Sequence, residues 1–198
     1  MHVLNIHGIL PRSRANGPGT RMVVWFQGCS LRCAGCFNPQ THPHTPRLRI
    51  RADKLVSMIE DAQDELEGIT ISGGEPLEQA EGLRWLLTAV RERTGLSIIL
   101  FSGYTLREIK LIPHGRLALM HADVLIAGRF VRTLRLSRGL RGSSNQTAHL
   151  LSGRYHVRDM IDTPVAEISI DSQGVVSVSG IDPPDVVPGV RSCFLTNL

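Results

Sequence analysis

Between Met22 and Ile126, short β-branched apolar runs alternate with longer amphipathic ones, and that alternation leaves few folds open. Met22–Phe26, Ile69–Ser72, Ser97–Phe101 and Asp123–Ile126 read as strands. Asp53–Leu66 reads as a helix because Leu55, Met58, Ile59, Ala62 and Leu66 fall on one face, and Gln79–Arg93 as a second, with Leu83, Leu86, Leu87 and Val90 inward. Gly68 and Thr94-Gly95 break the pattern where each helix gives way to a strand. Repeats of this kind form right-handed βαβ units, so an α/β fold around a parallel sheet is expected. Turns at Gly73-Gly74 and Ser102-Gly103-Tyr104 close the second and third strands and share one rim of the sheet, where α/β folds carry their binding loops.

The first strand opens onto the same rim through Gly28-Cys-Ser-Leu-Arg-Cys-Ala-Gly-Cys36. Cys29, Cys33 and Cys36 have C-x3-C-x2-C spacing and are three of the chain's four cysteines. Positions i, i+4 and i+7 are also one helix face, so burial as small apolar residues is one reading. Gly28, Gly35 and Pro39 argue for a loop instead, and a loop of this length can aim three thiolates at an inorganic centre. A structural zinc takes four protein ligands; His42 and His44 are close enough in sequence to complete such a set, although they read most simply as exposed loop residues. Downstream, Ile69-Thr-Ile-Ser-Gly-Gly-Glu-Pro76 is a strand ending in an exposed turn that can present bare peptide groups to a ligand.

Cys29-x3-Cys33-x2-Cys36 with Gly73-Gly74-Glu75-Pro76 resembles the radical S-adenosylmethionine (SAM) superfamily. Within it, several stretches are similar to the activating proteins of anaerobic (class III) ribonucleoside-triphosphate reductases. These are Gly17-Pro18-Gly19-Thr20-Arg21, Gln27-Gly28-Cys29, Cys33-Ala34-Gly35-Cys36-Phe37-Asn38-Pro39, Ser102-Gly103-Tyr104 and Arg141-Gly142-Ser143-Ser144-Asn145-Gln146. The likeness runs from about Asn16 to Gln146. Gly35 stands where many radical SAM proteins have an aromatic residue, as it does in the reductase activators, and Ala127-Gly128 stands where the family tends to show Asp-Gly.

The resemblance implies a partial, TIM-like (β/α) barrel carrying a 4Fe-4S cluster on Cys29, Cys33 and Cys36, with one iron open to SAM. It implies cofactor contacts at Gly35, Cys36, Phe37, Asn38, Gly73, Gly74, Glu75, Ser102 and Tyr104. Gly73 and Gly74 would let the backbone approach the methionine amino group, Glu75 would shape that turn or bond the same group, and Ser102 and Tyr104 would face ribose or adenine. No catalytic side chain is expected, because the reduced cluster cleaves SAM and the radical so formed takes a hydrogen from a glycine of a partner enzyme. The implied partners are a glycyl radical enzyme, here a class III reductase, and a flavodoxin or ferredoxin as reductant. Two alternatives stay open: a radical SAM enzyme acting on a small molecule or another protein, and a non-enzymatic zinc or iron-sulfur module.

A chain of 198 residues with 42% hydrophobic content suits one domain, residues 1–198, with its core at about 16–146 and a C-terminal hairpin and tail at about 163–198. The net charge of +4 rests on arginine, since Lys54 and Lys110 are the only lysines; this is weak for a dedicated nucleic-acid binder, and direct nucleic-acid binding is not expected. No stretch is long and apolar enough to span a membrane, and the N-terminus lacks an export signal, so the cytoplasm is expected. Val3–Ile9 reads as a short edge strand, Pro11–Thr20 as a loop and Gln40–Arg51 as a surface connection. Thr105 and Glu108 form a capping box for a helix reaching Leu111, and Leu117–Ala122 reads as helical. Arg129, Arg132, Arg135, Arg138 and Arg141 recur every third residue, fitting neither strand nor helix; the run is either a solvated arm or a docking surface. Val165–Val178 reads as a β-hairpin around Asp171–Gly174, and Asp182–Leu198 as a surface tail whose Cys193 is a lone thiol.

Overall fold

The computed structural model of the chain describes residues 2–170, 173–174, 176–181 and 191–192. In order, the first half contains β1 (Val3–Ser13), β2 (Arg21–Phe26), β3 (Leu48–Arg51), α1 (Ala52–Ala62), β4 (Gly68–Gly73), α2 (Ala80–Arg93) and β5 (Ser97–Ser102). The second contains α3 (Leu106–Ile109), α4 (Gly115–Leu119), β6 (Val124–Ala127), β7 (Arg135–Arg138), β8 (Arg141–Ser143), β9 (Thr147–Leu150), α5 (Val157–Ile161), β10 (Ala166–Ile170), β11 (Val176–Gly180) and β12 (Arg191–Ser192).

A seven-stranded sheet with order β3-β1-β2-β4-β5-β6-β9 organises the molecule. The four strands legible from the alternation, β2, β4, β5 and β6, run parallel at its centre. The sheet as a whole is mixed, because β1, β3 and β9 join it antiparallel. The parallel strands are largely apolar because both faces are covered, the buried Arg21, Thr70 and Ser97 being the exceptions at one end. On one face α1 and α2 bury Leu55, Ile59, Leu83, Leu86 and Val90 against Ile69, Ile71, Ile98 and Leu100. On the other, Ile99, Val124 and Ile126 pack with Leu140, Tyr155 and Met160.

Four expectations need correction. The strand expected at an edge over Val3–Ile9 is interior, pairs with both β2 and β3, and continues to Ser13 past a bulge between Leu10 and Ser13. The connection expected over Gln40–Arg51 ends in β3, an edge strand with one buried side chain, Ile50, and so with no readable pattern. The helix expected over Asp53–Leu66 stops at Ala62 and tightens into a 3-10 turn, Gln63–Glu65. The helix expected over Leu117–Ala122 lies at Gly115–Leu119. The capping box is present: Thr105 Oγ1 accepts from Glu108 N–H and Glu108 Oε2 from Thr105 N–H, although α3 ends at Ile109.

The arginine run changes conformation along its length, which is why its spacing fits no single element. It passes from a loop through a 3-10 turn, Arg132–Leu134, into β7, which pairs antiparallel with β8. The expected hairpin is β10–β11, with Ile168 opposite Val178. Asp171 and Ser172 of its turn, Cys193, and the tail apart from β12 lie outside the described residues. Among the described residues no helix is long and apolar enough to cross a membrane.

At the rim where β2 begins, Arg21 is fully buried. Its guanidinium donates to Thr70 Oγ1 (2.8 Å), Ser97 Oγ (2.9 Å), the Ile69 carbonyl (2.6 Å) and the Tyr155 hydroxyl (3.2 Å). Tyr155 in turn donates to Glu67 Oε1 at 2.8 Å. Gly17 lies over the side chain so closely that a Cβ there would fall 2.6 Å from Arg21 Cδ. The Gly17–Arg21 stretch therefore encloses a buried cation at the rim opposite the cysteines.

Candidate functional site

The chain leaves β2 through Gln27-Gly28 into the cysteine loop, and backbone bonds from two distant segments fix that exit. Gly28 N–H donates to Thr41 O (2.8 Å) and Cys29 N–H to His42 O (3.0 Å), while Gly28 O accepts from Glu75 N–H (2.8 Å). Ser30 N–H donates to Glu78 Oε1 at 2.6 Å. The turn after β4 is drawn onto the same backbone, with Gly74 N–H bonded to Phe26 O at 2.8 Å. Gly73 sits at φ +110°, where a Cβ would lie 2.3 Å from Phe26 N, and a Cβ on Gly74 would lie 2.2 Å from Gly28 O. Both glycines are thus needed for the turn to approach the backbone that carries Cys29.

Cys29, Cys33 and Cys36 line one cleft together with Gly73, Gly74, Glu75 and Ser102. Cys29 is 7% exposed, the other two are half-buried, and all three are free thiols. Burial pushes the Cys29 thiol up against the opposing pull of the Arg32 and Leu31 amides, and burial likewise raises Cys36, whose sulfur accepts from Asn38 N–H at 3.4 Å. Iron that takes up these thiolates must displace their protons. Among the described residues no three His, Cys, Asp or Glu side chains converge where a single ion would sit. Three soft sulfur donors lining one cleft are the kind of donor set an iron-sulfur cluster takes. His44 is exposed and bonded to Glu78, Nε2 to Oε2 at 2.6 Å.

Glu75 is 1% exposed and commits both carboxylate oxygens to the protein. Oε1 accepts from Leu77 N–H (3.0 Å) and Ser102 Oγ–H (3.0 Å), and Oε2 from Gly103 N–H (2.7 Å), so one side chain ties the β4 turn to the β5 turn. Burial still pushes its pKa up to about 7, with repulsion from Glu78 adding to the effect. The native state then holds this proton more tightly than the unfolded chain, so the stabilisation is complete below the ordinary value of 4.5 and is lost as pH rises towards 7. Urea unfolding of the metal-free protein should therefore show stability falling from pH 5 to 7, by up to about 1.4 kcal/mol per pH unit. Glu75→Gln should flatten that slope; an unaltered slope would assign it to another group.

Of the nine cofactor contacts implied by resemblance, Cys36, Gly73, Gly74, Glu75 and Ser102 line the cleft. The other four form its surround. Gly35, at φ +74°, packs on the Arg132 stem, and Asn38 O accepts from Thr41 N–H and Oγ1–H. Phe37 stacks at 4.7 Å on Phe130, with the Arg135 guanidinium 5.6 Å above its ring. Tyr104 lies beneath the Arg129 guanidinium at 5.6 Å. The arginine arm accordingly rests against the cysteine loop.

Gln146 anchors the base of the arm: its Oε1 accepts from Gly142 N–H (2.9 Å) and Ser143 N–H (3.1 Å), and its Nε2 donates to Gly128 O (2.9 Å). Arg129 pairs with Glu108, which this contact and the Thr105 bonds hold down to about 2. The residue that sequence reasoning missed is His42, expected to be exposed. It is half-buried and lines the cleft, because the two backbone bonds from Gly28 and Cys29 pull its loop over the cysteines. No local pattern encodes a contact of that kind.

A family model described as "4Fe-4S single cluster domain" matches residues 15–149. The anaerobic ribonucleoside-triphosphate reductase-activating protein of Escherichia coli K12 is 33% identical over 155 residues, covering 75% of this chain and 99% of that protein. The protein of the same name from Vibrio cholerae is 32% identical over 157 residues, 74% of this chain and 97% of its own. The one from bacteriophage T4 is 29% identical over 147 residues, 72% and 92%. Among solved structures, QueE from Escherichia coli matches with a TM-score of 0.43 and 16% identity over 52% of this chain and 53% of its own, a likeness too slight to add to the fold. With its cysteine cleft inside the matched region and relatives covered nearly end to end, this chain belongs to the family of anaerobic ribonucleoside-triphosphate reductase-activating proteins and carries their 4Fe-4S single cluster domain.

Proposed function

We propose that the chain is a radical SAM enzyme that generates a glycyl radical on an anaerobic ribonucleotide reductase. The observation that carries this reading is the single cleft shared by three free cysteines and the Gly73-Gly74-Glu75 turn. Cys29, Cys33 and Cys36 would hold a 4Fe-4S cluster and leave one iron for SAM; soft, anionic sulfur is the donor such clusters require. When bound, the reduced cluster and SAM together supply the one-electron chemistry that removes a hydrogen atom from a partner glycine. The protein's own part is to bind, orient and exclude water. Gly73 and Gly74 offer backbone to the methionine end of SAM, and Glu75 holds that turn against Ser102 and Gly103. Gly35, Phe37 and Asn38 support the third cysteine, and Tyr104 borders the nucleoside side.

The fold is a partial (β/α) barrel forming one domain, a reading supported by α1 and α2 packing on one face of the sheet. It works in the cytoplasm with a flavodoxin or ferredoxin as reductant. The test is to reconstitute the protein anaerobically, reduce it, and add SAM and the class III reductase. Methionine release and a glycyl radical signal on the reductase are expected. SAM cleavage without that radical would favour a different substrate, and zinc uptake with no iron would favour a structural module.

The arm at the cleft's edge is the docking surface for the reductase. Arg132 is exposed beside the cysteine loop, and Arg138 is exposed at the end of β7 on the same arm. Changing both to Gln should weaken reductase activation severalfold, and more steeply as salt rises, while leaving uncoupled SAM cleavage intact. Equal loss of both activities would make the arm a support of the site instead.

A further inference from the structure

We propose that His42 supplies a hydrogen bond to an anionic acceptor held in the cysteine cleft, a role resting on the cluster-and-SAM reading above. His42 lines the cleft, and its Nε2 is buried with no hydrogen-bond partner. Buried polar nitrogens are rarely left unpaired, and a ligand in the adjoining cleft is what would complete this one. Three neighbouring polar side chains are already committed: the Ser102 hydroxyl to Glu75, both Glu75 oxygens to the protein, and both ends of the Gln146 amide to Gly128, Gly142 and Ser143.

The backbone that carries the ring is also held in place. Thr41 is fully buried, its hydroxyl donates to Asn38 O at 2.7 Å, and the carbonyls of Thr41 and His42 accept from Gly28 and Cys29. The same peptide segment that fixes the first cysteine therefore fixes the His42 backbone, so the imidazole is carried at a set place beside whatever the thiolates bind. With its proton on Nε2, the ring is a donor suited to an anionic acceptor. Two groups in this cleft have that chemistry: a sulfur of the cluster and the carboxylate of SAM. A bond to sulfur withdraws electron density and raises the cluster's reduction potential, whereas a bond to the carboxylate tightens SAM.

The experiment compares the reconstituted wild type with His42→Phe, which keeps an aromatic ring but has no donor, and His42→Gln, which keeps one. The midpoint potential is measured without SAM, and SAM affinity by equilibrium dialysis. If sulfur is the acceptor, Phe lowers the potential and Gln restores part of it. If the carboxylate is, Phe weakens SAM binding about tenfold with the potential unchanged, and Gln again restores part. Either result supports the proposal and says which group is bound. A Phe variant that holds its iron and matches the wild type in both measurements overturns it, as does loss of iron from both variants, which would give the loop a structural role only. A wild type that assembles no cluster or binds no SAM refutes the underlying reading instead, which keeps the two failures distinct.

Discussion

Cys33→Ala should abolish SAM cleavage and reductase activation, and should reduce the iron of the anaerobically reconstituted protein from about four per chain to a small fraction of that. The expected loss is nearly complete because, on the proposed ligation, each thiolate holds one corner of the cluster and alanine offers no donor in its place. Folding should survive. The Cys33 side chain is only partly buried, and its carbonyl, which accepts from Cys36 N–H at 3.1 Å, is retained in the variant. Urea unfolding of the metal-free variant should therefore match the metal-free wild type to within about 0.5 kcal/mol. A protein that kept four irons without Cys33 would show that the cluster is ligated differently.

The second large effect falls at the opposite rim and on stability alone. Arg21→Ala should destabilise the protein by about 3–5 kcal/mol, because it empties a fully buried site and strips partners from a closed network. Thr70 Oγ1, Ser97 Oγ and the Tyr155 hydroxyl all lose a donor, and the Glu67 carboxylate bonded to Tyr155 loses its nearby positive charge. Burial lowers the Arg21 pKa and the Tyr155 and Glu67 interactions oppose that, so each part of the network depends on the others. At low temperature, where the variant remains folded, it should still take up iron. The contrast with Cys33→Ala is the check: one change removes cluster and keeps stability, the other does the reverse. Parallel loss of both properties in both variants would mean that the two rims are not independent.

The centre of the fold was legible because its strands are buried on both faces, so β2, β4, β5 and β6 are mostly apolar and α1 and α2 are amphipathic. The margins were not. β3 buries one side chain and β9 none fully, and both are placed by pairing with strands distant in sequence. In the site, the cysteines and the Gly-Gly-Glu turn were readable from spacing and turn chemistry. The reason for the glycines was only half visible, since their contact with Phe26 and Gly28 needs two segments some 45 residues apart to meet, as the β2–β4 pairing makes them do. Arg21 stood in a recognisable motif with nothing in the sequence to mark it as buried, and His42 looked like loop. Both are explained by long-range hydrogen bonds that no periodicity announces.

Radical chemistry at this site requires SAM to meet the cluster directly in the cleft that Cys29, Cys33 and Cys36 line with Gly73 and Gly74. The direct measurement is the electron paramagnetic resonance spectrum of the reduced, reconstituted protein before and after SAM is added. A changed cluster signal in the presence of SAM, in protein holding about four irons per chain, is the predicted result; a cluster signal identical with and without saturating SAM would contradict it.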